Sequence, residues 1–334
     1  MRNRRKFALL LALILIMFSI GGCALRGGAE NGQMDESGGN DQQAEQKPPL
    51  PEKLKTNQQG IPILRVYQVD EEETAEMDLE SYLRGVVAGE MKNDWPLEAL
   101  KAQAILARTF VLKFCTEKES KYQGADISTD IEEAQAYDAT GINDRVEQAV
   151  RETKGMVLSY HGELPYAWFH AHSGGVTERA VEGLNYDGEE PGYTKAVQGR
   201  ESSLAPKDAK EWTAEFPVSE FIAAAKKAGW QGNNRLDSLE IGKKGESGRA
   251  VTLRLNGESV SAPELRLNLG STKMRSTLLT EAKLENDRVI LSGKGYGHGV
   301  GMPQWGAYGM AEEGKTADEI VRYYFRDVTV ETLW

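Results

Sequence analysis

The sequence predicts an α+β fold. Two stretches with helical periodicity follow one another between residues 78 and 118. Short β-like runs bounded by Gly, Asn and Pro recur at residues 153–177 and 235–292. The two patterns are mixed without the regular strand–helix alternation of a parallel sheet, and no internal repeat is visible. The expected architecture is two central helices packed with antiparallel β-rich lobes.

From the N-terminus, Arg2, Arg4, Arg5 and Lys6 precede an apolar run at residues 7–20, followed by Gly21, Gly22 and Cys23. This is the pattern of a membrane-directing segment. Small residues before a cysteine match a bacterial lipoprotein cleavage site, with Cys23 lipidated. An uncleaved anchor is the alternative, because the run approaches the length that spans a bilayer. Either places the remainder outside the cytoplasm. Residues 24–60 are polar and carry few large apolar groups, so they are expected to form a disordered tether. The folded part is expected at residues 61–334, with a β-rich insertion or second lobe at about 205–292.

Within that part, residues 61–70 read as a strand and 78–91 as a helix capped by Asp78. Leu79, Tyr82, Leu83, Val86 and Val87 fall at offsets 0, 3, 4, 7 and 8, one apolar stripe. Offset 11 is Glu90, which therefore points to the core, whereas Glu80 lies off the stripe and reads as surface. Burial disfavours the charged carboxylate, and a Glu that stays protonated near neutral pH can act as a general acid. A second helix starts at Asp94-Trp95-Pro96 and runs to about Lys118. It is apolar on nearly all faces, with Gln103 and Arg108 as exceptions, and Arg108 is a candidate partner of Glu90. A further helix is expected at residues 218–228, and turns at 161–162, 242–248 and 256–257.

Residues 293–309 hold seven glycines among His298, Tyr296, Trp305 and Tyr308. So many glycines are rare in a packed helix or strand, so a tightly turned binding or catalytic wall is expected. A phosphate cradle is excluded. No Gly-Lys-Ser/Thr follows, and the third glycine of a dinucleotide fingerprint would fall on Val300 or Met302. The net charge of -11 argues against nucleic acid. Cys115, the one cysteine besides Cys23, supports no disulfide framework and reads as buried.

Several long segments carry a resemblance. Ser81-Tyr-Leu-Arg-Gly-Val-Val-Ala-Gly-Glu90-Met and Trp95-Pro-Leu-Glu-Ala-Leu-Lys-Ala-Gln-Ala-Ile-Leu-Ala-Arg108-Thr are the first two. His170-Ala-His-Ser-Gly-Gly-Val-Thr-Glu178, Ser247-Gly-Arg-Ala-Val, Leu265-Arg-Leu-Asn-Leu-Gly270 and residues 295–309 follow in order. Together they resemble the stage II sporulation protein D family over residues 60–334. The resemblance implies a peptidoglycan lytic transglycosylase acting in forespore engulfment. Such an enzyme cuts glycan strands stripped of stem peptides between N-acetylmuramic acid and N-acetylglucosamine and leaves a 1,6-anhydro end. Its implied partners are a cell-wall amidase and a membrane scaffold protein.

By motif, Glu90 matches the family's catalytic glutamate and Arg108 its arginine, with Tyr193 and Lys195 carried over from a Tyr-x-Lys pattern. Substrate contacts are expected from these two and from Tyr296, His298, Gln304, Trp305, His172 and Ser173. Asp126, Asp130 and Glu178 are possible second carboxylates, but read rather as surface or capping groups. Some relatives bind zinc near the His170–His172 segment. Here Ser173 follows and no cysteine is near, so neither a metal nor another cofactor is expected. Related domains also occur in amidase enhancers, which leaves a non-catalytic, glycan-binding role as the alternative.

Overall fold

A computed structural model describes residues 47–334. The apolar segment, Cys23 and the first part of the expected tether lie outside the described residues. Order begins before residue 61. Strand β1 (Lys55–Thr56) pairs antiparallel with β2 (Pro62–Gln68), and Leu50 and Leu54 pack on the core. Leu50, Leu54 and the buried Pro48 and Pro51 tack residues 48–56 onto the domain, so this part of the expected tether is ordered.

β2 also pairs antiparallel with β3 (Glu73–Asp78), which leads directly into α1 (Leu79–Glu90). Asp78 caps α1 by accepting from the Ser81 amide, and the expected stripe is buried. Helix α2 (Leu97–Glu117) follows and is buried on most faces. Then come β4 (Ile127–Ser128), parallel to β2, and α3 (Asp144–Glu152), which packs on α1 and α2. β5 (Met156–Ser159) and β6 (Phe169–His170) precede the short helices α4 (Ala180–Leu184) and α5 (Lys207–Lys210).

A second lobe begins at β7 (Glu211–Pro217) and continues through α6 (Val218–Lys227), β8 (Leu239–Ile241), β9 (Thr252–Leu255), β10 (Glu258–Ser261), α7 (Ala262–Leu269), β11 (Leu279–Glu285) and β12 (Arg288–Lys294). Its two three-stranded sheets, β10-β9-β8 and β11-β12-β7, enclose a separate apolar cluster that includes Trp212, Phe216, Phe221 and Leu253. The chain then re-enters the first lobe through β13 (Met302–Pro303), α8 (Gln304–Glu312), α9 (Ala317–Tyr324) and β14 (Thr329–Thr332), the last paired with β5.

The fold is thus α+β, with α1 and α2 central to the larger lobe. Further expectations fail. The glycine-rich segment is not one loop, since its last third is helix α8. Gly306 and Gly309 are there because a side chain on either would collide with the carbonyls of Gly199 and Arg200. Glu80 is not surface. Its carboxylate receives Arg108 Nη2 at 2.6 Å and Nε at 3.0 Å, and also the Gly155 amide and Trp334 Nε1.

Arg108 is therefore not the partner of Glu90. A guanidinium placed mid-way along α2 finds the carboxylate in the first turn of α1, while Glu90 ends that helix. Arg108 also donates to the carbonyls of Met156 and Ala104, so its fork is filled by structural partners. Truncating it leaves a buried carboxylate without its counter-ion. Arg108→Met should cost about 3 kcal/mol or more in denaturant unfolding, with the pH dependence of the folded fraction's activity unchanged.

Candidate active site

Glu90 is the last residue of α1 and is 3% exposed. Its Oε1 accepts the Ala136 amide at 2.7 Å, and its Oε2 accepts Gln304 Nε2 at 3.1 Å. The first donor is placed by a bare face of the helix. Gly85 and Gly89, one turn apart, let residues 136–137 lie against α1, and the Asp138 amide bonds the Gly85 carbonyl at 2.9 Å. A methyl at Gly89 would stand 2.7 Å from the Ala136 carbonyl carbon, and one at Gly85 would enter the Tyr137 ring.

The second donor is placed by the C-terminal part of the chain. β13 pairs parallel with β6, with Pro303 opposite His170, and the Trp305 amide bonds the Ala171 carbonyl at 3.0 Å. This sets Gln304 at the first turn of α8 with its amide on Glu90. The neighbouring Trp305 ring lies 4.4 Å from Trp95, and Tyr308 meets Trp95 edge-on at 5.1 Å. Burial drives the Glu90 carboxyl up to about 7, against the downward pull of the Ala136 and Gln304 donors. Such a group holds a proton near neutral pH and can also give it up.

Among the described residues no second carboxylate bonds Glu90 or its two donors. Asp126 is bound to Arg65 at 2.6 Å, and Asp130 to Lys121 and the Tyr122 hydroxyl. Glu178 is fully buried rather than a surface group, where it accepts from Ser247 and from the Arg179 amide.

The other expected site residues divide. Residues 295–301 turn through four glycines at positive φ, +78°, +113°, +90° and +70°. His298 lies in this turn, 5.4 Å from the His170 ring. Its Nδ1 accepts the Val300 amide, and burial pulls its pKa down to about 3, so it is neutral. His170 turns Nδ1 to the Val300 carbonyl at 3.1 Å. His172 Nδ1 instead accepts the Gly174 amide at 2.9 Å, with Glu201 at 3.6 Å, and Ser173 is bonded to Glu201. Tyr296 exchanges backbone hydrogen bonds with His172 and carries the Arg275 guanidinium over its ring at 5.1 Å.

Of the C-terminal motif, Gln304 is the residue that hydrogen-bonds Glu90 among the described residues. His298, Tyr296, His172 and Ser173 form a layer joined to Gln304 through the Pro303–His170 pairing. The differing orientations of His170 and His172, with no cysteine beside them, do not fit a tetrahedral zinc site. Among the described residues no three potential ligands gather as a metal would need.

Tyr193 and Lys195 are engaged with other partners. The Tyr193 hydroxyl accepts the Tyr166 amide, its ring packs near Tyr160 and Trp168, and Lys195 Nζ reaches the Arg322 carbonyl. Among the described residues neither bonds Glu90 or Gln304. Sequence reasoning missed the Ala136 amide, whose one visible signal was the pair of glycines four residues apart in an otherwise regular helix.

A two-lobed α+β protein with one dry, proton-holding carboxyl at the end of a helix is the class these features define. The comparisons narrow it. The family model for the stage II sporulation protein matches residues 67–160, and a domain of unknown function matches 201–301. Stage II sporulation protein D of Bacillus subtilis is 30% identical over 295 residues, covering 84% of this chain and 81% of the relative. An uncharacterized protein of Brachyspira hyodysenteriae is 31% identical over 259 residues, 76% of this chain and 67% of that protein. The amidase enhancer of Bacillus subtilis is 28% identical over 291 residues, 74% of this chain but 40% of that longer protein. The chain belongs to the stage II sporulation protein D family.

Two outcomes follow from the Glu90 geometry. Removing the Gln304 donor in Gln304→Leu takes away a bond to the ionised form, so the alkaline limb governed by Glu90 should move to higher pH in a pH–rate profile. Stability carries the opposite signature. Glu90 titrates near 7 when folded against an ordinary 4.5, so the folded state binds the proton more tightly. Stability then falls as pH rises from about 4.5 through about 7, by about 3 kcal/mol in all. Glu90→Gln should therefore unfold at higher denaturant than wild type at pH 8 and at nearly the same denaturant at pH 4.

Proposed function

We propose that the protein is a peptidoglycan lytic transglycosylase with Glu90 as its acid and base. The observation that carries this reading is the buried Glu90 carboxyl, poised near 7, with no second carboxylate bonded to it among the described residues. Ordinary glycoside hydrolysis uses two carboxyl groups. A transglycosylase needs one, because the substrate supplies its own nucleophile. Protonated Glu90 gives its proton to the glycosidic oxygen between N-acetylmuramic acid and N-acetylglucosamine, and the C1–O bond breaks. The resulting carboxylate takes the proton of the muramic C6 hydroxyl, whose oxygen closes on C1 as the 1,6-anhydro ring. Proximity of the internal hydroxyl replaces an ordered water.

In this proposal Trp305 and Tyr308 offer ring faces for sugars, and Gln304 orients Glu90. The chain is anchored outside the cytoplasm by lipidated Cys23 or by an uncleaved N-terminal helix. It works on denuded strands during engulfment, beside a cell-wall amidase and a membrane scaffold. The sporulation names of its relatives support that setting. The amidase enhancer among them favours a second reading, a glycan-binding partner that stimulates an amidase without chemistry of its own.

Incubation with glycan strands lacking stem peptides separates the two. Wild type should release anhydro-ended fragments, and Glu90→Gln should lower the rate by about a hundredfold or more. Equal release by both proteins removes Glu90 from the mechanism. No release by wild type, together with stimulation of an amidase, establishes the second reading.

A further inference from the structure

On the side of α1 away from its apolar stripe, a cavity of about 660 Å³ opens between α1, α3 and the turn at residues 57–61. Arg84, Arg151 and Lys154 line it, with Asp78, Glu80 and Glu147 as the acids. The charges do not cancel. Asp78 is occupied as the cap of α1, bonding the Ser81 amide and hydroxyl. Glu80 is occupied by Arg108, the Gly155 amide and Trp334. With Glu80 neutralised by Arg108, Asp78 and the exposed Glu147 stand against three cations, and the Asp78 oxygens are already turned to Ser81.

Those cations are not paired off. Arg84 follows Glu80 by four residues and Arg151 follows Glu147 by four, the spacing of a helical ion pair, yet neither pair closes. Among the described residues the guanidinium groups of Arg84 and Arg151 donate no hydrogen bond, and Lys154 Nζ donates to Gln59 Oε1 at 3.1 Å. In a chain of net charge -11, a cavity left with a net positive charge runs against the overall balance. Guanidinium forks match the oxygens of a phosphate in pairs, and a volume in this range holds a small ligand.

We propose that this cavity binds a phosphate-bearing anion through Arg84, Arg151 and Lys154. The phosphate could belong to a soluble ester or to the headgroup of an anionic lipid, since both present the same oxygens. The site is separate from Glu90 and does not depend on the proposed reaction.

Calorimetric titration of the full-length chain in neutral detergent tests it, at low salt so that screening is weak. Inorganic pyrophosphate and glycerophosphoglycerol, the deacylated headgroup of an anionic lipid, are the probes. Pyrophosphate binding alone assigns the site to soluble phosphate esters, and binding of glycerophosphoglycerol as well assigns it to a headgroup. In either case Arg84→Gln should weaken binding about tenfold or more. The exposed pair Arg151→Gln and Lys154→Met should do the same with the melting temperature unchanged, which keeps the test valid if Arg84→Gln disturbs α1. No binding of either probe by wild type, or undiminished binding by the exposed pair, overturns the proposal.

Discussion

The carboxyl of Glu90 occupies a position that works against its own ionisation, and the surrounding chain is arranged to keep it there. Water is excluded by α1 on one side, by residues 134–137 on a second and by α8 on a third. Among the described residues two donors reach it. One is a backbone amide fixed by the packing of residues 136–138 on α1. The other is a side-chain amide fixed by the re-entry of the chain after the second lobe. A carboxyl with more donors would ionise well below neutrality, and one with none would stay protonated far above it. The intermediate value therefore depends on two segments separated by about 170 residues of sequence being docked correctly at once.

That docking is itself held by buried charge. Arg249, in the second lobe, is fully buried and sends its guanidinium to the carbonyls of Val176 and Ser173, and to Ser247. Gly299 makes room for it, since a side chain there would meet the guanidinium. Glu178 supplies the opposite charge nearby and is tied to the Ser247 segment. The two apolar clusters are thus joined by a polar seam. Each lobe buries its own apolar side chains, while the seam fixes orientation through contacts that lose much of their value if displaced. His298 and His170 lie along this seam as neutral rings, so acidification over the ordinary range adds no charge there.

The central helices were legible because their signal is local. Asp78, the stripe from Leu79 to Val87 and the offset of Glu90 require only helical geometry. Trp95-Pro96 and the apolar run after it are equally direct. What escaped was set by tertiary packing. Arg108 and Glu80 read as a catalytic candidate and a surface acid, because periodicity shows which face a residue occupies but not which neighbour covers that face. The glycines at 306 and 309 argued against helix on propensity, yet close backbone approach from residues 199–200 outweighs roughly 1 kcal/mol per glycine. Helix α7 was hidden in a region whose turns and β-branched residues pointed to strands. The Tyr193–Lys195 pair was carried by motif alone, which transfers residue identity but not position in space.

The glycine face of α1 has a bearing on protein engineering. Replacing helical glycines by alanine is a standard route to a more heat-resistant protein, because it removes disorder from the unfolded chain. Gly85 and Gly89 invite that substitution on any propensity scale. Here the empty space beside their α-carbons is where residues 136–137 lie, and a hardened α1 would push away the backbone that presents an amide to Glu90. Libraries for thermostability should leave these two positions fixed and seek their gains in the second lobe, whose apolar cluster is separate from the one that holds α1.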